Sequence, residues 1–436
     1  MSVDDKNYWK RNLLIMWVSQ FLSMVGFSVS LPFAPFYLRE LGVGDESHVR
    51  AYAALAAALS NVTFAVMAPI WGMLADRYGR KKMVLRANFG GAVIVALMGF
   101  SPNAFWFLVL RTIQGMFTGT VSASMTLVAS STPNHRQGFA LGFLSTSVFS
   151  GDMTGLFIGG LLAEMFGFRS SFYLSGMMLG MSGLLVLLFA KEKFVRPVVQ
   201  RGQTIFHGFT FNWHEWRRFL QPAMPLFVLY VFSTLARYLD NSQFPLFVEY
   251  LNGGPEAPNT ARLTSWVLGM GSIGAMISGF VFGYWVDKYP SKVARIALVG
   301  AASFMALMLL TASLDSMSRI QFLGVSATLP VLCLIPLRFL MTFFSAGLEP
   351  VWNAWLSKTT LPERKGVMFG LAATFRSLGC ILAHSMAGVL ACYMGVLSLY
   401  IVGPMLFLLI IPLLGYFEKD IIGRIERIAN VSAATP

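Results

Sequence analysis

The chain has 436 residues, of which 56% are hydrophobic and only 12% are charged. Soluble globular proteins carry about 25% charged residues, so this composition excludes a soluble fold for most of the chain and places it in lipid. The net charge of +13 does not indicate nucleic-acid binding, because the lysines and arginines stand at the ends of apolar runs and form no basic patch with interleaved aromatic residues. Three cysteines without paired or metal-ligand spacing predict neither a disulfide framework nor a metal site.

Twelve apolar runs follow one another along the chain, and each is long enough to cross the hydrocarbon core as a helix. Numbered as spans 1 to 12, they cover approximately residues 13–38, 50–74, 84–101, 104–130, 138–163, 170–190, 222–250, 263–286, 294–314, 321–347, 366–390 and 394–416. We therefore expect an all-α integral membrane protein with twelve transmembrane helices in two pseudo-symmetric six-helix bundles. The expected boundaries are 1–190 for the N-terminal bundle, 191–221 for a cytoplasmic linker and 222–436 for the C-terminal bundle.

The loops between spans carry their positive charges unequally. Of the 33 lysines and arginines, 24 lie near the termini or in loops that follow even-numbered spans, and five lie in loops that follow odd-numbered spans. Short cytoplasmic loops are enriched in lysine and arginine. This asymmetry predicts a multi-pass protein of the plasma or inner membrane with both termini in the cytoplasm.

The two halves of the chain repeat each other. Two motif pairs stand at half-chain spacing: GMLADRYGRKK (72–82) with GYWVDKYPSKV (283–293), and TPNHRQGFALG (132–142) with LPERKGVMFG (361–370). The first pair aligns Gly72 with Gly283 and Asp76 with Asp287. A repeat of six spans is typical of transporters built from two related bundles, with the substrate site between them.

The first motif has the spacing G-x-x-x-D-R-x-G-R-K on a very short loop. Its glycine allows two helices to approach closely, and its aspartate can accept hydrogen bonds from a helix N-terminus or an arginine. Such a charge clamp would hold one conformation and release in another; alternatively, these residues only enforce topology through positive charge. The expected conformational gate consists of Gly72, Asp76, Arg77, Gly79 and Arg80, with Gly283 and Asp287 in the second half.

These motifs resemble those of the major facilitator superfamily. Three stretches are similar to the signatures of its twelve-span drug:proton antiporter branch. They are GMLADRYGRKK, LVLRTIQG (108–115) and LPFAPFYLRELG (31–42). WKRNL (9–13) and FALGFLSTSVFSG (139–151) resemble one group of bacterial multidrug-resistance exporters. The resemblance covers almost the whole chain, more closely in the N-terminal half, and implies a secondary active transporter that works by alternating access.

The resemblance also assigns a role to the glycine-rich fifth span, which the family associates with antiport. Its glycines here are Gly142, Gly151, Gly155, Gly159 and Gly160. The family motif has a proline after a glycine of this series, whereas Leu156 follows Gly155 in this chain. Loss of the proline removes an expected helix kink.

A few ionisable residues lie inside the apolar runs. A guanidinium there costs about 2.5–3.5 kcal/mol on insertion scales and must face an acid, a backbone carbonyl or water. The resemblance links the arginine of span 4, Arg111, to proton coupling. We expect Asp152 in span 5 to be its partner or the titrating site, since span 1 contains no acid; alternatively, Asp152 is a static hydrogen-bonding residue. Asp240 in span 7, expected to pair with Arg237, and Glu349 in span 10, expected to be solvated near the headgroups, are further proton-coupling candidates.

The expected substrate-cavity residues are Gln114, Arg338, Arg376 and His384. Arg338 matches Arg111 by repeat position. A cavity with these arginines would be basic and would favour anionic or zwitterionic substrates. His384 is either a proton relay, because its unperturbed pKa lies near physiological pH, or a packing residue.

The sequence also excludes several functions. It contains no G-x-x-x-x-G-K-[ST] phosphate loop, no H-E-x-x-H motif and no G-x-S-x-G elbow, so it indicates neither an ATP-driven pump nor an enzyme, and no cofactor is expected. The expected function is a monomeric proton-coupled antiporter that exports small amphipathic compounds or drugs across the bilayer. The alternatives are an exporter of a siderophore or another metabolite, an uptake symporter, and a membrane scaffold that does not transport.

Overall fold

A computed structural model describes residues 8–133, 137–192, 221, 223–286, 288–314, 319–360 and 365–434. The helices of the first half are Tyr8–Ser30, Leu31–Phe33 and Ala34–Glu40 (span 1), Glu46–Tyr78 (span 2), Arg80–Gly99 (span 3), Ala104–Phe117 and Thr120–Ser131 (span 4), Gln137–Phe166 (span 5) and Phe168–Phe189 (span 6). Those of the second half are Met224–Tyr238 and Phe244–Leu251 (span 7), Thr260–Val286 (span 8), Pro290–Leu310 and Thr311–Ser313 (span 9), Leu329–Ala346 and Leu348–Lys358 (span 10), Lys365–Met394 (span 11), and Val396–Ser398 and Leu399–Ala434 (span 12).

Four spans are interrupted, and the interruptions repeat between the halves. Span 1 passes through a 3-10 turn at Leu31–Phe33 and span 4 breaks at Gly119, while span 7 breaks over residues 239–243 and span 10 breaks at Gly347. Gly119 has φ +113°, a left-handed conformation that glycine adopts without steric cost. Interrupted helices at corresponding positions of two repeats point to the substrate site of a transporter.

The interruptions divide two of the predicted spans into pairs of shorter helices. Ten segments of the described chain are apolar helices long enough to cross a membrane. The fourth and seventh predicted spans are instead pairs of shorter helices. The predicted all-helical membrane fold is confirmed, and its twelve apolar runs correspond to ten long segments and two helix pairs.

A short hairpin precedes span 10. Strand β1 (Arg319–Phe322) pairs antiparallel with strand β2 (Val325–Thr328), and Phe322 lies opposite Val325. The two turn residues, Leu323 and Gly324, both have positive φ, as a two-residue hairpin turn of type I′ requires. The prediction that span 10 begins near residue 321 was therefore wrong, because the first apolar residues of that run form strands.

Hydroxyl groups join three spans at the centre of the first half. The Oγ atoms of Ser19 and Ser23 in span 1 lie 2.7 and 2.8 Å from Ser182 Oγ in span 6. Ser23 Oγ also donates to Asn88 Oδ1 in span 3 at 2.7 Å. No hydrophobic force draws apolar helices together in lipid, so small side chains and hydrogen bonds between helices provide the association.

The loops define two ends of the molecule. We call the end that carries residues 41–45 the odd-loop end and the end that carries Gly79 the even-loop end. At the odd-loop end Asp45 caps span 2, since its Oδ1 accepts from the Ser47 amide at 3.0 Å. Hydrogen bonds from the hydroxyl and the amide of Ser47 lower the pKa of the Asp45 carboxyl.

The two halves contact each other at the odd-loop end. Arg50 Nη1 in span 2 donates to the Ala391 carbonyl in span 11 at 3.0 Å. Cys392 Sγ, the next residue along span 11, lies 3.3 Å from the Ser47 carbonyl. Spans 2 and 11 therefore pack antiparallel across the boundary between the halves.

Arg39 adds an ionic contact between the halves. Its Nε and Nη2 donate to the Glu46 carboxylate of the same half at 2.9 and 2.7 Å. Its Nη1 and Nη2 donate to the two carboxylate oxygens of Glu249 at the end of span 7. The Glu249 side chain is only 8% exposed, and a shielded bidentate pair is stronger than an exposed ion pair.

Spans 2, 5, 8 and 11 each carry a glycine near the even-loop end. Among the described residues, a Cβ added to Gly72, Gly142, Gly283 or Gly370 would have no atom within 4 Å. These glycines belong to the two repeated motif pairs. In the described part of the chain, the close helix approach expected at Gly72 is therefore absent, and the hydrogen bonds and ion pairs between the halves at the loops lie at the odd-loop end.

Removing the Arg39 contact should expose the closed end. In a Cys333→Ser/Cys380→Ser background, we expect Glu249→Gln to raise the rate of maleimide modification of Cys392 about tenfold, because charge-assisted hydrogen bonds contribute about 1.5–3 kcal/mol. The measurement is the time course of labelling in membranes. Asp420→Asn, which removes the Arg424 ion pair within span 12, is the matched control and should leave the rate unchanged; equal rates in all three proteins would contradict the role of Arg39.

Candidate transport site

Arg111 lies in the first helix of the interrupted span 4. Its Nη1 donates to Gln114 Oε1 at 2.5 Å, and the same oxygen accepts from Ser60 Oγ of span 2 at 3.4 Å. Gln114 is buried, and Arg111 Nε has no hydrogen-bond partner among the described residues. His384 in span 11 is also buried, and its Nδ1 has no hydrogen-bond partner among the described residues. Gln114 therefore joins Arg111 of span 4 to span 2, and no hydrogen bond in the described part of the chain joins His384 to either of them.

Asp152 does not contact Arg111. Its two carboxylate oxygens accept from Ser28 Oγ in span 1 and from Ser272 Oγ in span 8. Ser28 belongs to the same half as Asp152, whereas Ser272 belongs to the opposite half. The prediction that Asp152 is the partner of Arg111 is wrong for this conformation, because the Asp152 side of span 5 faces spans 1 and 8.

The glycines of span 5 explain how Asp152 reaches this position. A Cβ on Gly151, Gly155 or Gly159 would lie 2.6, 2.6 and 2.2 Å from backbone oxygens of span 1. Gly160 instead faces span 8, where a Cβ would lie 1.6 Å from Ser265 Oγ. Glycine permits both backbone approaches. Span 5 remains one continuous helix at Leu156, as the missing proline allows.

The glycines of span 5 should therefore differ in their tolerance of a methyl group. We expect Gly159→Ala to destabilise the protein by about 1–3 kcal/mol, because the methyl group would overlap the Val29 carbonyl of span 1. Gly142→Ala, on the same helix with open space around it, is the matched control and should be neutral or slightly stabilising. Thermal unfolding in detergent measures both, and equal losses would contradict the packing argument.

Asp240 and Arg338 form a closed ion pair in the second half. Asp240 Oδ2 accepts from Arg338 Nη1 at 2.5 Å and from the Tyr400 hydroxyl at 3.3 Å. The side chains are 0% and 6% exposed, and the guanidinium lies 4.3 Å from the Phe244 ring centroid. The predicted pairing of Asp240 with Arg237 is wrong. The prediction that Arg338 lines the substrate cavity is also wrong, because the buried pair with Asp240 holds its guanidinium at the break of span 7.

Breaking this pair should be costly. We expect Arg338→Met to lower the free energy of unfolding by about 3–5 kcal/mol, because it leaves the Asp240 carboxylate buried without a cation. The double variant Arg338→Met/Asp240→Asn should recover much of the loss. Thermal unfolding tests both, with Arg295→Met as the control at a more exposed ion pair; similar losses for Arg338→Met and Arg295→Met would contradict the assignment.

Glu349 follows the break of span 10 and pairs with two arginines. Its Oε1 accepts from Arg376 Nη1 in span 11 at 2.7 Å, and its Oε2 lies 3.4 Å from Arg237 Nη1 in span 7. Glu349 is therefore not the unpaired acid that the sequence suggested, because two guanidinium groups contact its carboxylate. Beside the cluster, the Tyr230 hydroxyl contacts Asn353 Oδ1.

The loop between spans 2 and 3 contains part of the expected gate. Gly79 has φ +100° and ψ +149°, a conformation almost confined to glycine, and span 3 starts at the next residue. The amides of Arg80 and Lys81 donate to the Glu192 carboxylate at 2.8 and 2.9 Å. Glu192, which the sequence did not single out, thus caps the N-terminus of span 3. The side chains of Asp76 and Arg77, and all of Asp287, lie outside the described part of the structure.

Sequence reasoning missed further residues of these contacts. Ser28, Ser272, Arg39 and Glu249 gave no signal, because serines are common in membrane helices and charges near loops are ordinarily solvated. Only the three-dimensional contacts distinguish them. Ser272 and the Arg39–Glu249 pair join the two halves. Ser28 holds Asp152 within the first half.

Comparison with known proteins identifies the family. The sequence profile of the Major Facilitator Superfamily matches residues 16–329 and 226–425. The chain belongs to the major facilitator superfamily. It is 32% identical over 382 residues to the multi-drug resistance efflux pump PmrA of Streptococcus pneumoniae serotype 4, covering 87% of this chain and 89% of the pump. It is also 32% identical over 404 residues to a PmrA homolog of Lactococcus lactis subsp. lactis, covering 92% and 93%.

A solved structure shares the fold. A point mutant of the nucleoside transporter NupG superposes with a TM-score of 0.72 at 12% identity, covering 94% of this chain and 99% of that chain. The predictions of a major facilitator fold and of a membrane transporter that is not an enzyme are confirmed. The expected linker 191–221 lies almost entirely outside the described residues, and the domain boundaries stay predictions.

Proposed function

We propose that this transporter is a proton-coupled antiporter that exports small amphipathic compounds from the cytoplasm. Two similar proteins carry the name multi-drug resistance efflux pump or its homolog. The chain has no phosphate loop for ATP, so an ion gradient is the energy source. The excess of positive charge in the even-numbered loops supports a cytoplasmic location of both termini.

With this orientation, the structure corresponds to the conformation open to the cytoplasm. The contacts of Arg39 and Arg50 between the halves lie on the outer side. The open glycines on spans 2, 5, 8 and 11 lie on the cytoplasmic side. In the opposite conformation these glycines would pack against the other half, and the outer contacts would separate.

The main support for proton coupling is the carboxyl group of Asp152. It bridges the halves through the Ser28 and Ser272 hydroxyls, and no basic side chain contacts it among the described residues. Asp152 is partly exposed. A carboxylate without a cation is costly in a dry interior, so its charge state and the separation of the halves depend on each other.

This dependence gives antiport its direction. A proton taken up from the outer side makes Asp152 neutral, which favours the dry contact with Ser272 and closure of the outer end. Release of the proton to the cytoplasmic cavity restores the charge. Hydration stabilises the ionised carboxylate, which favours its separation from Ser272. After a substrate has bound from the cytoplasm, this separation opens the protein to the outside.

Inside-out vesicles test this mechanism. An acidic lumen should drive accumulation of amphipathic dyes, measured by fluorescence with dyes of both charge signs. We expect Asp152→Asn to abolish this accumulation but to retain exchange of dye down its own gradient, because the amide cannot release a proton. Glu164→Gln, on the same helix but paired with Arg262, is the matched control and should retain accumulation.

The other outcomes discriminate the alternatives. Accumulation driven by an alkaline lumen would indicate an uptake symporter in the cell. Transport of a metabolite but of no dye would favour a metabolite or siderophore exporter, and no transport of any probe by the folded protein would favour a scaffold. Accumulation by Asp152→Asn equal to that of the unaltered protein would contradict the role of Asp152.

A further inference from the structure

Two of the ion-pair clusters in the second half differ in their charge balance. Arg338 and Asp240 form a neutral pair that is shielded from solvent. Arg237 and Arg376 instead share the single carboxylate of Glu349. The second cluster therefore carries one unit of positive charge inside a membrane protein, where an unbalanced charge is costly.

This positive cluster is accessible. The side chains of Arg376 and Glu349 are 48% and 39% exposed, and that of Arg237 is 20% exposed. A half-exposed guanidinium at this depth would not face lipid, so it faces the space between the halves. Gly370, on the same helix as Arg376 and nearer the even-loop end, has no neighbour among the described residues.

The cluster lines a pocket between spans 7, 10 and 11. Its other side chains are hydroxyl-bearing and aromatic: Tyr230, Ser233, Ser345 and Trp352. Trp352 Nε1 donates to Ser233 Oγ at 3.1 Å, and both side chains are buried behind the charged groups. Next to Arg376, the partly exposed Phe375 ring stacks on the buried Phe227 with centroids 4.5 Å apart. The accessible surface of the cluster therefore consists of the charged groups, with the Phe375 ring beside them.

We propose that this pocket binds the anionic head group of an amphipathic substrate, such as a carboxylate or sulfonate, through Arg376 and Arg237. A monoanion would balance the charge of the cluster, whereas a cation would meet two guanidinium groups. The arginine fork matches the two oxygens of a carboxylate. Glu349 acts as an internal anion that occupies the arginines in the empty protein and competes with the substrate.

This proposal rests on the proposed export of amphipathic compounds, since it specifies their charge. Competition by Glu349 also distinguishes the proposed binding site from a purely structural ion pair. Removing either partner of a structural pair would weaken binding of an external anion. Removing Glu349, an internal competitor, would strengthen binding of that anion, whereas removing Arg376 would weaken it.

Equilibrium binding to the purified full chain in detergent tests the site without a proton gradient. The probes are dansylaminoundecanoic acid and its methyl ester, which differ only in the negative charge, and fluorescence titration measures their dissociation constants. We expect the acid to bind about tenfold more tightly than the ester, because only the acid forms a charge-assisted hydrogen bond with the arginines, and such a bond strengthens binding by about this factor. Glu349→Gln should tighten binding of the acid about tenfold, and Arg376→Gln should weaken it to the level of the ester.

Arg295→Gln removes an arginine from a partly exposed ion pair with Glu418 outside the pocket, and it should leave both dissociation constants unchanged. Thermal unfolding reports whether each variant is folded. The expected gain in affinity for the acid in Glu349→Gln could not result from misfolding. Equal binding of acid and ester, or weaker binding of the acid in both pocket variants, would overturn the proposal. Loss of proton-driven transport with this binding pattern intact would overturn only the proposed antiport.

Discussion

The bilayer supplies no water to an ionised side chain, and the placement of the buried charges in this chain follows from that constraint. Three arrangements meet it in different ways. Arg338 neutralises Asp240 in a closed pair, Glu349 is shared by two arginines, and Asp152 has only hydroxyl partners among the described residues. The first arrangement is neutral, and the second leaves one positive charge unbalanced. We propose that the third makes the charge of a carboxyl depend on conformation.

Glycine has two different uses in the same spans. On span 5, Gly151, Gly155 and Gly159 allow close backbone contact with span 1 inside one half. Gly142, nearer the even-loop end of that helix, has no neighbour among the described residues, like Gly72 in span 2. Backbone contacts within the first half are thus close, while these glycines of the repeated motifs have open surroundings in the described part of the chain. This division is what two bundles that move as rigid bodies require.

The sequence was sufficient for the family, the helical fold and the repeat, because hydropathy and motif spacing are local properties that a single chain displays. It was not sufficient for the partners of the charges. Asp240 was assigned to Arg237 because helical spacing predicts neighbours on one helix, yet its partner Arg338 comes from another span. Asp152 was assigned to Arg111 because both were isolated charges, and the backbone contacts that turn it toward Ser272 appear only in three dimensions. The hairpin before span 10 was missed because its residues are as apolar as the helix that follows.

That hairpin has a mechanical consequence. Arg319 in β1 donates to the Asn252 carbonyl at 3.0 Å, and Thr328 at the end of β2 donates to the Leu251 carbonyl at 2.8 Å. Each strand is thereby fastened to the end of span 7, and β2 leads directly into span 10. These hydrogen bonds connect the odd-loop end of span 7 to the start of span 10 through the hairpin. The two interrupted helices of the second half are therefore mechanically coupled at that end, and we expect the breaks near Asp240 and Gly347 to move together.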